Sequence, residues 1–227
     1  IRQMITAIIL DWGKTFSTGY KDIDQAMAAI LSPAALSWEE VYPVWKKLYY
    51  LRSRGQLKSD EEMFVWLNNI LPRPVAAEAV RDLLISSYWV SPEHVSCVRR
   101  LKVKYKIGLL SNHIDEWLRT FIRQEKLDDL FDSIIISSAV RVRKPDAEIY
   151  YLVLRDLGVK PGEAVFVSDE LCDDLMTAKG CGLKTVWFLP PASLEKKQKE
   201  IEIAKIFPPD ATLASFEDLE KVVASFA

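Results

Sequence analysis

The segment Ala7–Phe16, AIILDWGKTF, joins an unbroken apolar run to a single carboxylate. Strands that are buried on both faces of a parallel sheet read as short continuous apolar runs, so this run predicts such a strand. Asp11 follows where the strand would leave the sheet, and Gly13 stands two residues later. Open α/β sheets bind their ligands beyond the carboxyl ends of the strands. Asp11 is therefore the first candidate for a reacting group.

The rest of the chain divides into a helical block and a block in which helices and strands alternate. Between residues 17 and 91, the spacing of apolar residues and the breaks at proline and glycine predict helices and no convincing strand. These predicted helices cover Asp24–Leu31, Trp38–Arg52, Ser59–Leu71 and Val75–Tyr88. From Pro92 onward, apolar strands such as KIGLLSN, FDSIIIS, EAVFVSD and KTVWFL alternate with helical patterns, which is typical of a parallel sheet covered on both faces.

The predicted fold is α/β: a Rossmann-like parallel sheet with helices on both faces, plus an inserted all-α cap. Residues 1–16 and 92–227 form the predicted core domain, and residues 17–91 form the predicted helical cap domain. Because the insertion follows the first strand directly, we expect the cap to lie over the carboxyl ends of the strands.

The composition limits the classes of partner. The chain has 227 residues, of which 49% are hydrophobic and 27% charged, and a formal net charge of −2, so it has no basic field for nucleic acid or anionic lipid. No apolar stretch reaches the roughly 18 residues of a membrane span, and the first residues lack a signal-peptide layout. The three cysteines are scattered without metal-ligand spacing. We expect reduced thiols, a cytoplasmic location, and neither nucleic-acid nor membrane partners.

Polar residues also follow later predicted strands. Ser111 and Asn112 end KIGLLSN, Asp169 ends EAVFVSD, and Lys144 lies in a loop just before a helix. Because parallel strands share one carboxyl edge, we expect these residues to converge with Asp11. With two histidines in the chain, a metal would need oxygen ligands, and two carboxylates suit Mg²⁺. A hydroxyl and backbone N–H groups at a helix start suit phosphate, so the pattern predicts phosphoryl transfer.

Two further features of the sequence are interpreted as structural and not as parts of the site. The charged segment EKKQKEIEIAK, residues 195–205, predicts a helix or loop on a solvated surface. His113 lies beside the predicted site, and we expect it to face solvent or the start of the following helix.

Four motifs in order resemble those of the haloacid dehalogenase superfamily of hydrolases. DWGKT resembles the family's first motif, D-x-D-x-T, and LLSN resembles the second, an apolar strand that ends in Ser or Thr. RKP resembles the third motif, a lysine, and SDELCD resembles the fourth, G-D-x-x-x-D. The helical insertion after motif one resembles the family's cap. The resemblance spans essentially the whole chain and implies an Mg²⁺-dependent phosphatase of a small phosphorylated metabolite, acting through an aspartyl-phosphate as a monomer or homodimer.

The resemblance also implies a role for each matching residue. Asp11 is the implied nucleophile and Lys144 the implied charge-stabilising lysine, which makes these two the catalytic pair. The implied Mg²⁺ ligands are Asp11, the main-chain carbonyl of Gly13, and Asp169. The predicted substrate-binding residues are Trp12, Gly13, Ser111 and Asn112. Thr15 is expected to order the motif-one loop, and Asp173, the second acid of motif four, to hold Lys144 or a metal-bound water.

The chain departs from the family pattern at Gly13. Phosphatases of the superfamily usually carry a second aspartate there, which protonates the leaving oxygen and then activates water, and glycine does neither. Such acid–base catalysis contributes ~10²–10⁴-fold to rate. Glu170 or a cap residue is a candidate substitute.

The sequence leaves open three alternatives to a phosphatase. A non-catalytic or weakly active phosphate-binding relative is one, because Lys14 and Ser168 replace residues that are usually glycine. Haloacid dehalogenases also lack the second aspartate, but they are metal-free and lack the carboxylate that Asp169 preserves. A phosphonoacetaldehyde hydrolase would need a cap lysine for a Schiff base, and Lys46, Lys47 and Lys58 are available.

Overall fold

The computed structural model describes residues 4–20 and 23–226. Residues 1–3, 21–22 and 227, which the predicted domain ranges include, lie outside the described residues. The strands are β1 Ala7–Leu10, β2 Gly19–Tyr20, β3 Tyr88–Trp89, β4 Lys106–Ser111, β5 Ser133–Ile136, β6 Ala164–Ser168, β7 Lys184–Phe188 and β8 Ala211–Leu213. The helices are α1 Ile23–Leu31, α2 Trp38–Ser53, α3 Asp60–Ile70, α4 Ala77–Ser86, α5 Pro92–Leu101, α6 Asp115–Gln124, α7 Ser137–Val140, α8 Ala147–Leu157, α9 Met176–Gly180, α10 Gln198–Ala204 and α11 Leu219–Ala224.

Six of the described strands form one parallel sheet in the order β5–β4–β1–β6–β7–β8. The strand β1 is central, and Leu10 aligns with Leu109 of β4 and with Val167 of β6. Successive side chains of a strand point to opposite faces, and those of β1 enter two separate cores. Ile8 and Leu10 pack into the core that contains α5 and α6, whereas Ala7 and Ile9 pack into the core that contains α8. The predicted parallel sheet with helices on both faces is confirmed.

The helices α1 to α4 lie between β1 and α5 in the chain, as the sequence predicted. Their buried side chains belong to the same core as Ile8 and Leu10, so the helical insertion packs directly on one side of the sheet domain. The start of α2 is fixed by a reciprocal cap, in which the Ser37 hydroxyl accepts the N–H of Glu40 and the Glu40 carboxylate accepts the N–H of Ser37.

The insertion also contains strands, which the sequence did not predict. The short strands β2 and β3 pair antiparallel, with Gly19 opposite Trp89, where the chain enters and leaves the helical segment. Two residues are too few to produce an alternating pattern, so periodicity gives no signal there. None of the helices in the described ranges has the length and apolar character needed to cross a bilayer. Cys97, Cys172 and Cys181 form no disulfide.

Candidate active site

The chain turns tightly after β1 and is tied to the end of β6. The N–H of Phe16 donates to the carbonyl of Asp11 at 3.2 Å, and the N–H of Ser17 donates to that of Trp12 at 2.7 Å. Thr15 is fully buried, and its hydroxyl accepts the N–H of Asp169 at 2.9 Å. This hydrogen bond holds the motif-one loop against the strand end that carries Asp169.

Lys144 is the central cation of the site. Its Nζ lies 2.6 Å from Oδ1 of Asp11 and 2.5 Å from Oδ2 of Asp174, and the residue is 4% exposed. Burial lowers the pKa of Lys144, but the two carboxylates outweigh burial and raise the pKa above its ordinary value. The side-chain amide of Asn112 donates to the carbonyl of Lys144 and accepts its N–H, both at 2.9 Å. Asn112 therefore positions the lysine with its side chain.

The expectation that Asp173 holds Lys144 is wrong, since the partner is its neighbour Asp174. The helical segment that follows Asp169 starts with a π-helical turn, Leu171–Leu175, in which the N–H of Leu175 donates to the carbonyl of Glu170. Such a turn closes over five residues instead of four, which brings the fifth residue after Asp169 onto the site and leaves Asp173 exposed.

Ser168, which replaces the usual glycine, supports Asp174 and does not crowd the site. Its hydroxyl donates to Oδ2 of Asp174 at 2.8 Å and accepts the N–H of Glu170 at 3.1 Å. Ser168 is fully buried, and it helps to orient the carboxylate that faces Lys144.

Lys197 is a site residue that the sequence interpretation missed. It comes from the segment that was predicted to be solvated surface, yet its side chain is 13% exposed. Its Nζ lies 3.5 Å from Asp169, 3.2 Å from Glu170 and 3.0 Å from Glu200. Burial lowers the pKa of Lys197, but these carboxylates raise it overall, so the ammonium is retained. No local sequence signal indicates this contact, because it depends on how the chain folds back after β7.

The phosphate-binding donors are fewer than the sequence implied. Ser111 is buried at the end of β4 and lines the cavity described below. The next backbone N–H groups are already engaged. The N–H of His113 donates to the Ser137 hydroxyl, that of Ile114 to Nδ1 of His113, and that of Asp115 to the Ser138 hydroxyl. The Ser111 hydroxyl and the Lys144 ammonium therefore become the principal candidate donors.

His113 is buried, so the expectation that it faces solvent is wrong, but its Nδ1 does contact the start of α6, at the backbone of Ile114. Its Nε2 lies 2.8 Å from the hydroxyl of Tyr88. Its Nδ1 lies 2.8 Å from the backbone N of Ile114 and 3.0 Å from the carbonyl oxygen of the same residue. Burial lowers the pKa of His113 from 6.5 to about 4, so the ring is neutral at physiological pH.

This buried ring makes stability depend on pH. The pKa of His113 is lower in the folded state than in the unfolded state, so the unfolded state binds more protons between pH 6.5 and about 4. The neutral His113 ring makes its full contribution to the free energy of unfolding above pH 6.5, and this contribution is lost as the pH falls from 6.5 to about 4. We expect the free energy of unfolding to fall by about 2 kcal/mol more in wild type than in His113→Gln between about pH 7.5 and pH 5. Urea unfolding at both pH values measures this, and parallel pH dependences in the two proteins would contradict it.

One cavity of about 550 Å³ joins these groups to the helical insertion. Its polar end contains Asp11, Ser111, Lys144 and Asp169, and Trp12 and Gly13 also line it. The other end is formed by aromatic side chains: Trp38, Tyr42, Trp45, Tyr49, Tyr88 and Trp117. Of the cap lysines considered above, Lys46 lines the cavity. The structure therefore places the predicted catalytic pair, Asp11 and Lys144, at the bottom of a pocket that helices of the insertion cover.

Comparison with known proteins finds a family match for part of the chain and a fold match for nearly all of it. The sequence profile of the haloacid dehalogenase-like hydrolases matches residues 78–188, just under half of the chain. The fold matches the L-2-haloacid dehalogenase of Xanthobacter autotrophicus with a TM-score of 0.68 and 23% identity, over 99% of this chain and 100% of that one. Residues 78–188 therefore match the sequence pattern of the haloacid dehalogenase-like hydrolases, and the described chain has the fold of one of them.

Relatives of this haloacid dehalogenase-like protein include phosphatases. It is 39% identical over 93 residues to glyceraldehyde 3-phosphate phosphatase of Pyrococcus furiosus, a match that covers 40% of this chain and 38% of that enzyme. A family enzyme of Bacteroides thetaiotaomicron, solved with magnesium and inorganic phosphate, has a TM-score of 0.68 at 18% identity, over 83% of this chain and 95% of that one.

The donor set of this haloacid dehalogenase-like site fits a divalent cation. Burial raises the pKa of Asp11 to about 7 despite the Lys144 ammonium, and the carboxylates of Asp174 and Asp169 add to the rise. The polar end therefore carries more acid than Lys144 balances. Within the described part of the chain, no group of three or more His, Cys, Asp or Glu side chains forms a metal cluster. Mg²⁺ needs only one or two carboxylates, because phosphate and water supply the rest.

Proposed function

We propose that the protein is a Mg²⁺-dependent phosphatase of a small phosphorylated metabolite. The observation that carries this proposal is the buried Lys144 ammonium between Asp11 and Asp174, on the floor of a cavity large enough for a small molecule. In this proposal Asp11, Asp169 and the carbonyl of Gly13 hold Mg²⁺, as the family resemblance implies. When bound, the metal neutralises phosphate charge. A cytoplasmic location and a monomeric or homodimeric state remain predictions.

The residues around Asp11 suit a two-step transfer. In the first step a carboxylate oxygen of Asp11 bonds to phosphorus while the bond from phosphorus to the leaving oxygen breaks. In the second step water cleaves the aspartyl-phosphate, which releases phosphate and restores the carboxylate. Lys144 holds Oδ1 of Asp11 and so limits rotation of the carboxylate, and its charge stabilises the transferring group.

Among the described residues, the carboxylates near Asp11 are all engaged by cations and so are poor acids for the leaving oxygen. Glu170, the candidate substitute, is paired with Lys197, and Asp174 is paired with Lys144 and Ser168. Asp169 also lies near Lys197. We therefore propose that the protein acts on phosphates whose leaving groups depart without a proton, and that it acts poorly on alkyl phosphates.

The test is Mg²⁺-dependent phosphate release from p-nitrophenyl phosphate, acetyl phosphate and an alkyl phosphate, with and without a chelator. We expect turnover of the first two that the chelator abolishes. No turnover of any substrate, with inorganic phosphate still bound in calorimetry, would instead favour the non-catalytic phosphate-binding relative.

Dehalogenation is the second candidate, and two features of this site favour it. Displacement of halide by the Asp11 carboxylate needs no leaving-group acid, which agrees with Gly13, and the Lys197 ammonium lies beside Asp169 where a metal would be expected. Asp169 itself argues against it, since the family's dehalogenases lack this carboxylate. Chloride release from 2-chloropropionate, unaffected by chelator, would support this candidate.

Lys197 is expected to weaken metal binding, because its ammonium competes with Mg²⁺ for the charge of Asp169. We expect Lys197→Gln to bind Mn²⁺, used as a probe for the site, about tenfold more tightly than wild type. Isothermal titration calorimetry measures this directly. Lys199→Gln is the matched control, because Lys199 is exposed in the same segment. Equal affinity in wild type and Lys197→Gln would contradict the prediction.

A further inference from the structure

We propose that the cavity takes an aryl phosphate, with the phosphate at Asp11 and the ring among the aromatic side chains of the helical insertion. This inference rests on the proposed phosphatase function and adds the chemical class of the leaving group. Two independent observations support it: the walls of the cavity and the absence of an acid at Gly13.

The walls form a connected surface of rings. Trp38 lies 5.4 Å from Tyr42 and 6.2 Å from Trp45, measured between ring centroids. Trp117 continues this surface, 6.0 Å from Trp45 and 5.9 Å from Tyr49. Aromatic rings pair with one another at centroid distances of about 4.5–7 Å in offset or edge-to-face geometry. A flat aromatic group between these walls would therefore add one more ring to a set of aromatic pairs that the protein already contains.

Three polar side chains at this end, those of Tyr20, Tyr88 and His113, are bonded to one another. The hydroxyl of Tyr88 is hydrogen-bonded both to Nε2 of His113 and to the hydroxyl of Tyr20. A sugar or polyol would lose its hydrogen bonds to water on entering such a pocket and would find few replacements, which is unfavourable. A ring carries no such hydroxyls, so the walls select against polyol phosphates and for aromatic ones.

The departure of the leaving group at the polar end of the cavity also favours aryl phosphates. Without a proton donor, the leaving oxygen must depart as an anion, and its rate of departure depends on its basicity. A phenol has a pKa of about 10, like tyrosine, whereas the pKa of an alcohol is far higher and close to that of water. In the proposed step an Asp11 oxygen bonds to phosphorus, the bond from phosphorus to the aryl oxygen breaks, and the phenolate leaves with the electron pair and is protonated by water. A second water then cleaves the aspartyl-phosphate, releasing phosphate and a proton.

The binding test uses phenylphosphonate and methylphosphonate, which have no phosphate ester to hydrolyse. We expect phenylphosphonate to bind about tenfold more tightly than methylphosphonate in calorimetry. Tyr42→Leu and Trp38→Leu should each reduce that preference several-fold, and Tyr42 is 46% exposed, so its replacement is compatible with folding. Trp66→Leu is the matched control, because Trp66 is 52% exposed on α3 and does not line the cavity. Trp66→Leu should keep the full preference for phenylphosphonate over methylphosphonate.

The kinetic test compares phenyl phosphate with benzyl phosphate, which carries the same ring on an alkyl oxygen. We expect kcat/KM, which reports the step in which the leaving group departs, to be about 100-fold higher or more for phenyl phosphate. Equal binding of the two phosphonates, or a preference that the cavity variants leave unchanged, would overturn the inference and leave the phosphatase proposal standing. Tight phenylphosphonate binding without hydrolysis of any phosphate ester would overturn the proposed function but retain the assignment of an aromatic ligand.

Discussion

Replacing Gly13 with aspartate is expected to raise the turnover of benzyl phosphate by ~10²–10⁴-fold, the usual contribution of a positioned acid–base group. The backbone has room for the change, because a Cβ built at Gly13 meets no atom within 4 Å and its φ lies outside the left-handed region. The new carboxyl group would stand two residues after Asp11, where the superfamily's phosphatases carry their acid. For p-nitrophenyl phosphate, whose leaving group needs no proton, the gain should come from the second step alone, in which the new carboxylate activates water.

Gly13→Asn is the matched control for this experiment. Asparagine has nearly the same shape as aspartate but neither donates a proton in acid catalysis nor accepts one from water. Steady-state phosphate release with benzyl phosphate should therefore stay at the wild-type level in Gly13→Asn. If asparagine and aspartate raised turnover equally, the effect would come from loop geometry, and the account of the missing acid would fail.

Replacing Asp11 with asparagine is expected to lower kcat for every substrate by about 10⁴-fold or more, because it removes the attacking carboxylate. The fold should survive, since Lys144 keeps its second partner, Asp174, and asparagine fills the same space. Mass spectrometry of enzyme quenched during turnover should show a phosphoryl group on wild type and none on Asp11→Asn. With Gly13 in place nothing activates water for the second step, so this species should accumulate in wild type.

Asp173→Asn is the control for the Asp11 experiment. Asp173 is exposed beside the site, and Lys144 contacts Asp174 instead, so we expect activity within about twofold of wild type. Wild-type activity in Asp11→Asn would remove the nucleophile assignment, and a loss in Asp173→Asn as large as that in Asp11→Asn would contradict the placement of Asp174.

The parts of the site that lie at strand ends could be predicted from the sequence. The run before Asp11 and the run before Asp169 are buried strands, and parallel strands that pair must end at the same edge. The meeting of Asp11 and Lys144 follows from that topology together with the motif order. These predictions need only strand type and direction, which apolar runs and turn residues encode locally.

The parts that depend on exact helical phase or on distant folding could not be predicted. Choosing between Asp173 and Asp174 requires knowing that one turn is π-helical, and residue propensities do not distinguish that turn from an α-helical one. Lys197 reaches Asp169 only because a charged segment folds back over the strand ends. His113 is buried by aromatic residues from the insertion, including Tyr49 and Tyr88, which are far from it in the chain.

The paired strands β2 and β3 bring the two crossings into the helical insertion side by side, with Gly19 facing Trp89. Segments whose ends lie close together are tolerated as insertions, because the host needs to accommodate only two adjacent chain ends. The β2–β3 pair thus holds both ends of the helical insertion next to each other. Changes within α1 to α4 can therefore leave the strands of the sheet, and the residues at their ends, in place.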